Sequence, residues 1–157
     1  MGITMGTIQK VDNNVYISDY KAAANPHFIK KANITRIVKL FADSASDQRH
    51  PGVSYLVIDA IDHPDYDISE AAMTAIPFIQ QAIQNNERVL VHCRAGISRS
   101  ATIVLFHLMI NRNIPLDLAL KVLIHIRPII NPNPGFMQHL RLTDLRLGGT
   151  RLASGPP

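Results

Sequence analysis

The chain holds a single cysteine, Cys93, and an arginine, Arg99, follows it six positions later. Between them lie Arg94, Ala95, Gly96, Ile97 and Ser98. The β-branched run Val89-Leu90-Val91 leads in through His92, and an apolar stretch of helical length, residues 101–110, leads out. That order reads as a strand, a tight loop and a helix N-terminus, whose unpaired N–H groups form a ready anion site. A cysteine placed in such a positive field loses its proton easily. An arginine at the loop's end offers a planar fork for phosphate oxygens. Together these residues describe a sulfur nucleophile aimed at a phosphate, with the backbone N–H groups of residues 94–99 as the cradle. Gly96 lets such a loop curl tightly. A cysteine and an arginine at this spacing are common; the strand before, the glycine inside, the hydroxyl of Ser100 after and the apolar helix beyond make the signal specific. The plain alternative is a small buried cysteine in a strand–turn–helix unit.

Cleaving a phosphate monoester without a metal takes a cation, an ionised nucleophile and an acid for the leaving oxygen. The acid must come from another part of the chain, and Asp59, Asp62, Asp65 and Asp67 are the candidates. Asp67 begins the pattern Asp67-Ile68-Ser69-Glu70, which reads as a helix cap. Asp59 falls near the end of an apolar strand, while Asp62 and Asp65 stand in the loop that follows. His92 reads as a residue that orders the loop by hydrogen bonds rather than one that moves protons. His107 lies on an apolar helix and reads as a packed core residue. His27, His50, His63, His125 and His139 show no metal-ligand spacing, so no metal and no cofactor are expected.

The elements that must position these groups follow from local pattern. Residues 7–11 and 15–18 read as short strands joined by the turn Asp12-Asn13-Asn14. Asn25 caps a helix with Pro26 at its first position, ending near residue 32. Residues 35–41 and 53–60 read as strands, separated by a polar loop over residues 42–52. A helix runs from Asp67 to about Gln84, a strand over residues 88–92, and helices over 98–111, 116–126 and 136–147. Residues 101–110 are apolar almost all round, as in a central buried helix. Strands alternating with helices predict an α/β fold: a mostly parallel twisted sheet of about five strands, flanked by helices on both faces.

The segment His92-Cys93-Arg94-Ala95-Gly96-Ile97-Ser98-Arg99-Ser100-Ala101-Thr102 resembles the signature loop of the dual-specificity phosphatases, within the cysteine-dependent protein tyrosine phosphatases. Its wording is close to that of mitogen-activated protein kinase phosphatase catalytic domains. Residues 127–133 followed by Phe136 resemble the family's segment before its last helix, and Val15-Tyr16-Ile17-Ser18 its first strand. The resemblance spans about residues 8–147. It implies Cys93 as nucleophile, Arg99 as the phosphate-chelating cation, and hydrolysis of phosphotyrosine and phosphoserine or phosphothreonine through a phosphocysteine. The family's acid loop falls on residues 62–69 and places the acid at Asp62. It matches Ser100 to the hydroxyl that helps the thiolate depart; a helix first-turn hydroxyl is the alternative. Asn133 matches a residue that braces the signature loop, where an ordinary turn asparagine fits equally. Lipid-directed relatives carry extra basic residues inside the loop, where this chain has Arg94. RNA-directed relatives carry different loop wording. A phosphate-binding module without catalysis is a third reading, weighed against by the presence of Cys93, Arg99 and an acid.

Size and composition agree with one catalytic domain over residues 1–147 and a flexible tail over 148–157. Hydrophobic residues make up 46% of the chain, enough for a core, and no run approaches a membrane span. No secretory signal is visible, and Gly6 leaves the myristoylation pattern that Gly2 would open incomplete. A lone cysteine cannot form an internal disulfide, which suits an intracellular, cytoplasmic or nuclear, setting. The net charge of +4 suits an anionic substrate. No basic arm interleaved with aromatics supports nucleic-acid binding. The expected partner is a phosphorylated protein.

Overall fold

The computed structural model describes residues 6–42 and 49–153. Residues 1–5, 43–48 and 154–157 lie outside the described residues, and with them the start of the incomplete lipidation pattern, most of the polar loop expected over 42–52 and the end of the expected tail. The elements in chain order are β1 (Ile8–Lys10), β2 (Val15–Ser18), α1 (Tyr20–Ala24), α2 (Pro26–Lys31), β3 (Arg36–Lys39), β4 (Ser54–Val57), α3 (Ile68–Gln84), β5 (Val89–His92), α4 (Arg99–Ile110), α5 (Leu116–Ile126) and α6 (Pro134–Ala153).

The strands form one sheet in the order β1-β2-β5-β3-β4. β1 returns antiparallel on β2, and every other pairing is parallel. β2, β3 and β5 are buried at each position, the condition of parallel strands covered on both faces. Their side chains alternate between two cores. Val15, Ile17, Val38, Val89 and Val91 pack with α3, α4, α5 and α6, while Tyr16, Ile37 and Leu90 pack with Ala23 and Ile29 of α1 and α2. The expected sheet, flanked on both faces, is therefore the one observed. α4 is buried from Ser100 to Met109, in keeping with its apolar sequence. Among the described residues, no helix is long and apolar enough to cross a membrane.

Two elements differ from expectation. α1 has only five residues and no apolar periodicity; it forms because the Asp19 side chain accepts from the Ala22 N–H and caps it. α6 begins at Pro134, two residues earlier than expected, and runs to Ala153 rather than stopping at residue 147. Asn133 caps its start, accepting from the Phe136 N–H at 2.9 Å. Gly148 and Gly149 weaken a helix, by roughly 1 kcal/mol each relative to alanine, without ending it.

β5 lies between β2 and β3, where the chain's winding reverses direction. In an open α/β sheet, the crevice beyond the carboxyl ends of strands at such a point is where ligands bind. The strand ends are level there: Ser18 and Lys39 both pair in register with His92. Cys93 is the next residue, so the loop singled out from sequence opens into that crevice.

The opposite end of the sheet is tied by a partly buried polar network. The His107 side chain is fully buried, and its Nε2 donates to Asp12 Oδ2 at 2.7 Å. Its Nδ1 lies 3.0 Å from the Asn111 side-chain amide. Arg112 Nε donates to the same carboxylate oxygen at 3.0 Å, and Asp12 Oδ1 accepts the N–H groups of Asn14 and Val15, both at 2.9 Å. Burial alone would raise the Asp12 carboxyl, but the bonds from His107 and Arg112 outweigh it and hold it well below the ordinary carboxylate range. A carboxyl lowered on folding stabilises the fold above its unfolded value, about 3.9, and that contribution is lost as pH falls through and below it. Asp12→Ala is expected to cost about 2–4 kcal/mol at pH 7 in urea unfolding, with the deficit shrinking as pH drops below about 4. A deficit of constant size down to pH 3 would contradict this account of the network.

Candidate active site

The loop from Cys93 to Arg99 takes its shape from where its carbonyl groups are bonded. Arg94 O accepts from Tyr20 N at 3.0 Å, and Ile97 O accepts from Asn131 N at 2.8 Å. Between them, Arg127 Nη2 donates to Ala95 O at 3.1 Å and Arg127 Nε to Gly96 O at 2.8 Å. Successive carbonyls are thus held by partners outside the loop. In a trans peptide the N–H points opposite to the C=O, so the N–H groups of Ala95, Gly96, Ile97 and Ser98 turn inward. The Gly96 N–H confirms the sense, donating to Cys93 Sγ at 3.3 Å. An inward row of N–H groups ahead of a helix N-terminus is an anion cradle. Gly96 is required twice over: its φ is +68°, and a Cβ there would stand 2.6 Å from Arg127 Nη2 and 2.7 Å from Ser18 O.

Cys93 is buried at the floor of this cradle. The Ser100 hydroxyl lies 3.2 Å from its sulfur and is fully buried, placed to donate to a thiolate. Arg99 reaches from the first position of α4 across the ends of β3 and β4. Its Nη1 donates to Ala60 O at 3.1 Å and to Leu40 O at 3.4 Å. Its Nε is buried and has no hydrogen-bond partner among the described residues. A buried donor left unpaired costs free energy, and it belongs to a charged group on the edge of an anion cradle. The Arg94 guanidinium lies 4.5 Å from the centre of the Phe41 ring.

His92 is buried beneath the loop, and its Nδ1 lies 3.3 Å from the Cys93 carbonyl oxygen. Burial, chiefly, lowers the imidazole to about 4; Lys39 adds to the fall, while that carbonyl and Asp19 oppose it. At pH 7 it is neutral and donates to the carbonyl, which orients the loop's first peptide.

The four candidate carboxylates part company. Asp67 caps α3 through the Ser69 N–H at 3.1 Å. The Asp65 side chain is 93% exposed, beside His63. Asp59 accepts a long bond, 3.4 Å, from the Ala42 N–H. Asp62 is joined to the cradle through Asn133. The Asn133 Nδ2 donates to Asp62 Oδ1 at 2.9 Å, and the Asn133 N–H donates to Ser98 Oγ at 3.1 Å. Because Asn133 Oδ1 caps α6, only its NH2 group can face Asp62, and the amide orientation is settled by chemistry. Asp62, Ile97, Ser98 and Asn133 line one open cavity of about 590 Å³. Among the described residues, no three His, Cys, Asp or Glu side chains gather as a metal site.

Arg127 escaped a reading of the residues one by one. Among the described residues it is the largest fully buried side chain, and Gln9 Oε1 accepts from its remaining Nη1. Burial depresses the guanidinium, and the negative charges of Asp19 and of a Cys93 thiolate oppose that. In the sequence it opens residues 127–133, the segment that resembles the family's stretch before its last helix, and its neighbours do not mark it as a partner of the loop.

The Dual specificity phosphatase, catalytic domain family matches residues 15–144. Human dual specificity protein phosphatase 26 is 35% identical over 138 residues, 85% of this chain and 65% of the relative, so the chain spans just under two thirds of that protein's length. A crystal structure of a mouse dual specificity phosphatase complexed with zinc tungstate superposes with a TM-score of 0.85 at 26% identity, covering 96% of this chain and 94% of the mouse chain. The crystal structure of DUSP15 does so with a TM-score of 0.82 at 29% identity, covering 95% and 97%. The family match runs from β2 into α6, the crevice at the end of β5 and the loop within it included. This chain belongs to the dual specificity phosphatase family.

Arg127→Met removes both donors from Ala95 O and Gly96 O. We expect a stability loss of about 2–5 kcal/mol from the unpaired carbonyls. Binding of inorganic phosphate, followed by calorimetry, should weaken at least about tenfold. Arg127→Lys keeps the charge but not the two-pronged geometry and should fall between. Undiminished phosphate binding by a destabilised Arg127→Met protein would separate the guanidinium from the cradle's shape.

Proposed function

We propose that this chain hydrolyses phosphotyrosine and phosphoserine or phosphothreonine in proteins through a phosphocysteine intermediate. The observation that carries the reading is the Gly96 N–H donating to Cys93 Sγ from a loop whose carbonyls are held outward, with the buried, unpaired Nε of Arg99 at the loop's end. The phosphoryl oxygens would lie on the N–H groups of residues 94–99 and on Arg99, whose charge stabilises the transition state. The Cys93 thiolate attacks phosphorus as the bond to the leaving oxygen breaks, and Asp62 protonates that oxygen to release the hydroxyl amino acid. Water then attacks phosphorus, the Asp62 carboxylate takes its proton, and the sulfur–phosphorus bond breaks to return the thiolate and free phosphate. Ser100, 3.2 Å from the sulfur, donates to the departing thiolate. His92 and Asn133 touch no reacting atom in this scheme; they orient the loop and the acid.

The reading is tested by phosphate release under reducing conditions from phosphotyrosine and phosphothreonine peptides, a phosphoinositide and 5′-triphosphorylated RNA. Both peptides are expected to turn over. Cys93→Ser should abolish turnover, and Asp62→Asn should reduce it about 10²–10⁴-fold, the usual share of a general acid. Release from the lipid or the RNA alone would overturn the substrate and keep the chemistry. No release from any of them would leave a phosphate-binding module.

A further inference from the structure

Gly135 is the second residue of α6, and its backbone presses against the loop that carries Asp62. A Cβ built on Gly135 would stand 2.0 Å from the Pro64 carbonyl oxygen, 2.6 Å from its carbonyl carbon and 2.6 Å from its Cα. Those atoms are backbone, so no side chain can swing away. Ordinary contact begins at about 3.4 Å, so loop and helix would have to part by more than an ångström. The positive-φ glycines among the described residues are Gly6, Gly52 and Gly96. Gly135 is not one of them, so what matters at this position is the missing side chain, not a special backbone conformation.

The same loop is fastened to the start of α6 on either side of this contact. Asn133 Nδ2 holds Asp62 Oδ1 at 2.9 Å. The Tyr66 ring meets the buried Phe136 ring edge-on, with centroids 6.5 Å apart. His139 Nε2 lies 3.7 Å from Asp67 Oδ1. Residues 62 to 67 therefore rest along the first turns of α6, with Gly135 at the point of closest approach and Asp62 two residues from it.

We propose that the first turn of α6 is the seat that fixes the acid loop, and that Gly135 is a positioning residue for Asp62. The inference rests on Asp62 being the general acid. A carboxyl displaced by an ångström loses its line to the leaving oxygen, and misplacements of that size can cost about 10²-fold in rate. The loss must depend on the leaving group. An alkoxide or phenoxide of high basicity needs the proton, whereas a dinitrophenolate departs without it.

The experiment compares wild type, Gly135→Ala, Asp62→Asn and the double variant on phenyl phosphate and dinitrophenyl phosphate, with inhibition by inorganic phosphate as a control on the cradle. Gly135→Ala is expected to lower kcat on phenyl phosphate about 10–100-fold, to change dinitrophenyl phosphate turnover less than about threefold, and to leave phosphate inhibition unaltered. In the Asp62→Asn background it should add nothing. Equal losses on both substrates, or a further loss in the double variant, would overturn the seat and make Gly135 a packing residue only. If Gly135→Ala does not fold, Tyr66→Leu loosens the same loop without a clash and must show the same selectivity; an unselective loss there overturns the proposal. Unchanged phenyl phosphate turnover in Asp62→Asn alone would overturn the acid assignment and the seat with it, whereas a normal Asp62→Asn effect beside an unselective Gly135→Ala would overturn the seat alone.

Discussion

A peptide plane has two polar ends, and fixing one fixes the other. The active loop of this protein depends on that constraint. Tyr20, Asn131 and above all Arg127 hold its carbonyl groups on the outside, and the N–H groups must then converge on Cys93. Without those outer partners the seven residues from Cys93 to Arg99 would have no reason to present donors on one side, since an unrestrained loop distributes its polar groups toward water. Arg127 is suited to the task because one rigid fork supplies donors in a set geometry to adjacent carbonyls. Its burial is costly, and the bonds to Ala95 O, Gly96 O and Gln9 Oε1 offset that cost.

The rest of the fold delivers groups to this loop from separate elements. β5 carries Cys93 to the centre of the sheet, the ends of β3 and β4 provide the carbonyls that aim Arg99, and the turn before α6 brings Asn133. Asn133 is the joint between the cradle and Asp62: its backbone reaches Ser98, and its side chain reaches Asp62 while capping α6. The opposite end of the sheet is braced by His107, Asp12 and Arg112. That network is thereby kept at the far end of the strands from the Cys93 loop.

How much of this was legible in the sequence varies with the range of the interaction. Asp67 as a cap, Asn25-Pro26 as a helix start and residues 101–110 as a buried helix are written in neighbouring residues, and each is found. The strand–loop–helix around Cys93 is local too, so the cradle's position and its likeness to the family could be read directly. Asp62 could not be separated from Asp65 by its surroundings in the chain; the resemblance singled it out, and the contact with Asn133, 71 residues away, is what distinguishes it in space. Arg127 and Gly135 were illegible for the same reason. A buried arginine leaves no periodic trace, and a glycine whose function is to have no side chain looks like any loop glycine until Pro64 is seen beside it. α1 was missed because one cap, not a pattern, makes it.

The central claim is that the cradle presents phosphorus to Cys93 for covalent transfer. Rapid acid quenching of Asp62→Asn during turnover of dinitrophenyl phosphate, followed by mass spectrometry of the intact and digested protein, tests it most directly. In that variant the first step runs without the acid while the second is slowed, so one phosphoryl group should accumulate on Cys93 and be absent when Cys93 is also replaced by serine. Turnover with no phosphoryl group bound, or with the group on any other residue, would contradict it.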